Sequence, residues 1–295
     1  MNNRDLIPLT CTGHTQAVVD LHFSPMTYDR KYYLISASKG DWLGTFKGHK
    51  AAVWSARLSK DATKALTSSS DQTARVWSTQ IGQELCSLAH NTTVHSAEFN
   101  HDDTKVATGG DKSLKIFDLY RPDALPIELM DSTTDIVWDD SRHTLISAST
   151  NKIRLWDLRT MRERAHIEAC DSVRFLRLSP DGNYVCWAAG HTVNFWKPDS
   201  GLEDVKRFET REKTCSVSLH PDHDRFVTAS DDDMSVRMYD FNRGISKGHH
   251  SPINTISYSP DGELYATGSE DGIIRLWQTN PTKAYGLWQL AKWEC

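Results

Sequence analysis

Little in this chain points to metal, membrane or nucleic-acid chemistry. Its six cysteines, Cys11, Cys86, Cys170, Cys186, Cys215 and Cys295, form no C-x-x-C pair and no other zinc-like spacing, so the usual thiolate metal sites are excluded. Scattered thiols on strand-like segments read as small buried apolar side chains in a reducing compartment. No apolar run approaches the ~20 residues a membrane-spanning helix needs. The start, Met1-Asn2-Asn3-Arg4-Asp5, lacks the apolar core of a signal peptide. A cytoplasmic protein is expected, with nuclear entry left open; without a secretory route the Asn91-Thr92-Thr93 acceptor triplet has no consequence.

Positive charge is also short. Lys and Arg number 34 against 39 Asp and Glu, a net charge of −5. Nucleic acids and anionic membranes select basic surfaces, so neither is expected as a direct partner. What the chain does have is 38% hydrophobic and 25% charged residues, the balance of a folded domain.

A repeat dominates the rest. Short segments end in an aromatic residue: Thr73-Ala-Arg-Val-Trp77, Ser113-Leu-Lys-Ile-Phe117, Lys152-Ile-Arg-Leu-Trp156, Thr192-Val-Asn-Phe-Trp196, Ser235-Val-Arg-Met-Tyr239 and Ile273-Ile-Arg-Leu-Trp277. Successive aromatics lie 40, 39, 40, 43 and 38 residues apart, the period of a four-stranded propeller blade. Arg stands two residues before the aromatic in four of the six, and Lys115 does so in a fifth, so these cations share one strand face. Apolar runs such as Lys64-Ala-Leu-Thr67 and Val53-Trp-Ser-Ala-Arg-Leu58 come before each aromatic strand, and Ser179-Pro-Asp-Gly182 and Ser259-Pro-Asp-Gly262 are turns between them. Regular short strands without a convincing helix predict radial β repetition.

Two blades carry a further signature. His49 precedes Asp71 by 22 residues and Trp77 by 28; His249 precedes Asp271 and Trp277 by the same intervals. With its Gly-His dipeptides and aromatic strand ends, the chain resembles the WD-repeat family. That resemblance implies an all-β, seven-bladed propeller and, within a blade, a hydrogen-bonded set of His, Ser or Thr, Asp and Trp. The matching sets are His49, Thr67, Asp71, Trp77 and His249, Thr267, Asp271, Trp277. Other blades keep fragments: Asp111 with Phe117, Asn151 with Trp156, while the Trp196 blade has no such Asp and is expected to rely on apolar packing. A seventh blade is expected at the start, from Gly13-His14, Val18–Phe23 and Tyr32–Ser36. Residues 1–295 then form one domain, with 5–11 as the strand that closes the ring and 280–295 as a C-terminal extension.

Within the family the segments Gly40-Asp-Trp-Leu-Gly-Thr-Phe46, Gly48-His-Lys-Ala-Ala-Val-Trp54 and Tyr285-Gly-Leu-Trp288 are similar to those of the kinase-receptor-associated propellers. This implies a non-catalytic scaffold associated with the SMN complex and with assembly of spliceosomal ribonucleoproteins. Implied partners are Gemin subunits, TGF-β receptor pathway proteins and an RNA-binding protein. The propeller subunits of translation initiation factor 3 share the Gly-Thr-Phe and Gly-His-x-x-Ala-Val-Trp stretch and are the alternative, as is a propeller that binds RNA itself.

Sharper chemistry finds less support. A His–Asp–Thr trio suggests a hydrolase, but a catalytic triad is built once and this set recurs, so no catalytic residue is assigned. His220-Pro-Asp-His223 and His249-His250, the latter expected in an inter-blade loop, lack a third ligand; no metal or cofactor is expected. Gly109-Gly-Asp-Lys112 precedes a strand rather than the helix N-terminus of a phosphate loop. Lys50, Trp54, Tyr285 and Trp288 are the candidate protein interface, since exposed aromatics anchor such surfaces. Between Ser38 and Asp41 only Lys39 and Gly40 stand where other blades place a third strand and its turns, roughly a dozen residues. Loop residues are expected to be missing there, with lesser contractions at 130–135 and 243–247 that shorten a strand and its Gly-His loop.

Overall fold

The computed structural model describes residues 9–39, 46–121, 123–129, 132–202, 204–230, 235–241, 246–250 and 253–279, and of 235 and 246–250 the backbone alone. The chain opens with β1 (Leu9–Cys11), β2 (Val18–Phe23) and β3 (Leu34–Ser38). Next come β4 (Val53–Leu58), β5 (Lys64–Ser69), β6 (Thr73–Ser78) and β7 (Glu84–Ala89), hydrogen-bonded in that order as one antiparallel sheet. The unit recurs as β8 (Val94–Phe99), β9 (Lys105–Gly110), β10 (Leu114–Asp118) and β11 (Ile127–Leu129). Then follow β12 (Asp135–Asp139), β13 (Thr144–Ala148), β14 (Lys152–Asp157) and β15 (Arg162–Glu168). The fifth sheet has β16 (Val173–Leu178), β17 (Val185–Ala189), β18 (Thr192–Trp196) and β19 (Val205–Glu209). The sixth has β20 (Thr214–Leu219), β21 (Arg225–Ser230), β22 (Ser235–Asp240) and β23 (Ser246–His250). Last come β24 (Ile253–Tyr258), β25 (Leu264–Ser269) and β26 (Ile274–Gln278).

This is an all-β propeller. Six sheets have four strands and β2–β3 has two among the described residues. The sheet of β24–β26 takes its fourth strand from the other end of the chain: β1 pairs with β26, Leu9 opposite Leu276 and Cys11 opposite Ile274. The first strands pack side by side in a cycle, β2, β4, β8, β12, β16, β20, β24 and back to β2. Each sheet is thereby sandwiched between two others. That is why β9, β13, β17 and β21 are buried at nearly every position, whereas β7 and β15 are largely exposed. The core is a series of wedges between neighbours, such as Leu66 and Val76 of one sheet against Ala97 and Val106 of the next.

One turn recurs between first and second strands. The amide of its fourth residue donates to the carbonyl of its first at Ser59–Ala62, Asn100–Asp103, Asp140–His143, Ser179–Gly182, His220–His223 and Ser259–Gly262. That fourth residue always has positive φ, +74° at Gly182 and +70° at Gly262, but also +56° at Ala62. Glycine suits this conformation and other residues strain to reach it. Among the described residues no helix is long and apolar enough to cross a membrane.

Two expectations need correction. Gly248-His249 does not lie in an inter-blade loop: both residues belong to β23, with His249 opposite Val236 of β22. The short connection after β22, at the contraction expected at 243–247, draws the dipeptide into the ladder. Before 130–135, β11 is only three residues long, in keeping with the contraction expected there. The thiols divide: Cys186 and Cys215 are buried, but Cys11 and Cys170 are exposed, because one sits on the outermost strand and the other in the loop after β15.

Candidate interaction site

The His49 set forms a continuous hydrogen-bonded chain. Trp77 Nε1 donates to Thr67 Oγ1 at 2.8 Å, Thr67 Oγ1 lies 2.7 Å from His49 Nε2, and His49 Nδ1 lies 2.8 Å from Asp71 Oδ2. Ionised Asp71 can only accept, so the imidazole proton is on Nδ1 and is donated to it, and Nε2 accepts from the Thr67 hydroxyl. Burial lowers the His49 pKa, which keeps the ring neutral. Burial also opposes ionisation of Asp71, but hydrogen bonds from Thr73, the Lys50 amide and His49 outweigh it and bring its pKa down to about 2. A side chain at Gly48 would stand 2.8 Å from the Trp77 ring, so glycine is required by that approach.

In the last sheet Trp277 Nε1 donates to Thr267 Oγ1 at 2.9 Å. Asp271 accepts from the Ile273 amide at 3.0 Å and from Arg275 at 3.2 Å. The side chain of His249 lies outside the described residues. A third histidine was overlooked: His90 Nε2 lies 2.7 Å from Thr108 Oγ1, and burial lowers its pKa to about 4. Its separation from Thr108 is 18 residues, the same as from His49 to Thr67, a spacing legible without the Gly of Gly-His. Asp111 does not join it, pairing instead with His95 at 2.7 Å. Trp156 donates to Ser147 at 2.9 Å, and Trp196 to the Gly201 carbonyl at 2.8 Å.

The inner strands carry a second polar system that the repeat reading passed over. Their third and fifth residues point the same way. The fifth residues of six of these strands, His22, Arg57, Glu98, Arg177, Ser218 and Ser257, and the third residue of β12, Val137, all line one cavity of about 250 Å³. Asp20, third in β2, and Asp135, two residues before Val137 in β12, join the charges among them. Arg57, 2% exposed, donates to Asp20, to Glu98 at 3.0 Å, and lies 3.7 Å from Asp135. Arg177 bridges Asp20 at 2.5 Å and Asp135 at 3.2 Å. Ser96 adds a hydrogen bond to Asp135 at 2.6 Å. Burial pushes the Glu98 carboxyl up to about 7 despite Arg57, while the pKa of Asp20 is lowered, the two arginines outweighing its burial. Aligning the first strands so that Val137 stands with the fifth residue of the other six exposes this layer in the sequence.

At the other end of the inner strands a wider recess of about 390 Å³ is lined by Lys39, Trp54, His95, Arg174, Phe175 and Asn254, among others. Trp54 is half-buried there, its Nε1 donating to Ser70 at 2.6 Å and its ring under Lys39 Nζ at 5.4 Å. Lys50 is exposed on the loop beside the His49 chain. Tyr285 and Trp288 lie outside the described residues. His220 and His223 do not converge: one contacts the Gly262 carbonyl at 3.1 Å, the other Asp181 at 2.9 Å. Among the described residues no three His, Cys, Asp or Glu side chains gather as a metal site.

Comparison with known proteins gives this architecture a lineage. The family profile "WD domain, G-beta repeat" matches residues 40–78, 82–118, 204–240 and 243–278. The chain belongs to the WD-repeat family. Within this family it is 44% identical to the serine-threonine kinase receptor-associated protein of Homo sapiens, over 96% of this chain and 85% of that protein. The protein of the same name from Dictyostelium discoideum is 36% identical, covering 92% and 98%. The eukaryotic translation initiation factor 3 subunit I of Culex quinquefasciatus is more distant, at 26% over 91% and 95%. The alignment to the human relative spans 301 positions against the 295 residues here, so that relative has residues this WD-repeat chain lacks. A WD-repeat propeller of this kind is a scaffold for protein interaction and not an enzyme; the names of its relatives are those of a receptor-associated protein and an initiation-factor subunit.

Proposed function

We propose that this chain is a protein-interaction scaffold of the SMN complex, acting with Gemin subunits in assembly of spliceosomal ribonucleoproteins in the cytoplasm, with a further nuclear pool. The observation that carries the reading is the 44% identity extending over 96% of the chain, which includes connecting loops as well as strands. The same relatives' name supports a second set of partners among serine-threonine kinase receptors, and the resemblance implies those of the TGF-β pathway. The initiation-factor alternative has less behind it at 26% identity, and direct RNA binding is opposed by the net charge of −5.

In this reading β2–β3 is the inner half of a seventh blade, since it occupies its own place in the cycle of first strands; residues 40–45 lie outside the described residues. The two His–Thr–Asp–Trp sets are structural, and partners bind on connecting loops, which vary without disturbing the core. Trp54, Lys50, Tyr285 and Trp288 remain the proposed contacts. A pull-down with reconstituted Gemin subunits tests both levels. The parent chain is expected to capture them, and Lys50→Glu or Trp288→Ala, at parental melting temperature, to capture less. No capture by the parent would overturn the SMN assignment; full capture by both variants would remove those contacts.

A further inference from the structure

The channel between the inner strands contains three carboxylates, Asp20, Glu98 and Asp135, and two guanidiniums, Arg57 and Arg177. The carboxylate left over is the one that meets the cavity. Asp20 and Asp135 are 1% and 4% exposed and each contacts both arginines, whereas Glu98 is 21% exposed. The one hydrogen bond it receives among the described residues, from Arg57 Nε, ends on Oε2. Nearby, His22 Nδ1 is buried with no partner among the described residues. The mouth is a collar of apolar side chains, Pro25, Pro180 and Pro260 from the strand turns with Trp138 and Tyr258. A volume near 250 Å³ lies below the ~300–1,000 Å³ of small-molecule sites and suits one long side chain.

We propose that this cavity, at the C-terminal ends of the inner strands, receives a single Arg or Lys side chain from a partner protein, its charge on Glu98 and its methylenes against the collar. An anion fits less well: both guanidiniums already pair with carboxylates, and only the buried Nε of Arg177 has no hydrogen-bond partner among the described residues. The ligand supplies the positive charge the cluster is short of, and a long basic side chain is apolar along its stem and charged at its tip. The proposal rests on the scaffold reading and names the chemistry of one docking residue.

The site is coupled to a proton. The groups around Glu98 are Arg57 on β4, Asp135 on β12, Arg177 on β16, and Asp20 and His22 on β2. Burial, with Arg57 and Arg177 nearby, holds His22 neutral. Glu98 must ionise to pair with the incoming cation, so binding tightens from pH 6 to pH 8 and releases a proton from Glu98 near neutrality.

The test uses the full chain with N-acetyl-Gly-Arg-Gly-amide, its Glu counterpart and its citrulline counterpart, followed by carboxyl carbon NMR of labelled glutamate. The Arg peptide is expected to lower the apparent Glu98 pKa by at least one unit and to bind at least tenfold more weakly to Glu98→Gln. Ser257→Phe, which fills the cavity away from the charges, is expected to abolish binding and covers the case in which Glu98→Gln fails to fold. Absence of binding to the parent, equal binding of the Glu or citrulline peptide, or undiminished binding by a folded variant would overturn the proposal. No SMN component is present in this assay, so its failure is distinct from failure of the Gemin pull-down.

Discussion

The sheet of β4–β7 and the sheet of β16–β19 occupy equivalent places in the ring and hold their aromatic residue by different means. In the first, Trp77 begins a chain through Thr67 and His49 to Asp71. In the second, Trp196 gives its indole hydrogen to the Gly201 carbonyl and sits in an apolar cluster with Trp187, Val185 and Leu155. The difference shows that the propeller requires burial of the aromatic and a partner for its N–H. A buried polar group costs free energy only when left unpaired, and a backbone carbonyl serves as well as a threonine.

The comparison breaks most forcefully at the apolar sheet. Trp196 is 2% exposed, and Trp196→Ala is expected to cost about 3–5 kcal/mol, through lost burial and the cavity left behind. Denaturant unfolding would measure it; a loss below about 1 kcal/mol would mean that the sheet does not depend on that side chain. Asp71→Ala should cost less, about 1–3 kcal/mol, because it strands the His49 N–H and the Lys50 amide without emptying the core. If this variant lost more than Trp196→Ala, the hydrogen-bonded chain and not the aromatic would be the dominant device.

Acid should separate the two sheets. The folded-state pKa values of His49 and His90 lie below the ordinary 6.5, that of His90 at about 4. Their neutral forms are favoured by folding, so their contribution is complete above pH 6.5 and declines as pH falls below it. Asp71, depressed to about 2, contributes above about pH 4 and loses that contribution on the way down to 2. Between pH 7 and 5, amide exchange corrected for its intrinsic rate should therefore accelerate in β4–β11 more than in β16–β19, measured in Glu98→Gln because protonation of Glu98 on β8, raised to about 7 by burial, favours folding over the same interval. Uniform acceleration would count against histidine as the cause.

The smallest effect concerns the recurrent turn. Ala62 holds φ at +56° where Gly182 and Gly262 stand in sister sheets. Ala62→Gly removes left-handed strain of about 1–2 kcal/mol at an entropic cost of about 0.5–1 kcal/mol. A gain of up to about 1 kcal/mol is expected, read as a rise in melting temperature. A fall would show that the turn tolerates alanine without strain.

Much of this architecture was legible because a propeller repeats local units. Trp77, Trp156, Trp196 and Trp277 announce the third strand of their sheets, and the offsets of His49 place Thr67 and Asp71 beside it. His90 was missed only because Ala89 replaces the glycine; its spacing to Thr108 was available. Gly248-His249 misled for the converse reason: the dipeptide is present, but a short connection draws it into a ladder. Dipeptide identity is local, whereas strand limits depend on how much chain remains to span the gap.

By itself the sequence determined the all-β class, the period of the sheets, their turns and the aromatic anchors, since each depends on residues within one blade and on strand periodicity. The tertiary structure alone decided which charges meet. Asp20 and Arg177 stand 157 residues apart yet share a hydrogen bond, because the first strands close into a ring and turn one face of each toward a common axis. Only that closure makes Arg57 a partner of carboxylates on three different strands. It also leaves Glu98 at the edge of a cavity, because a ring of seven inner strands surrounds a space its own side chains do not fill.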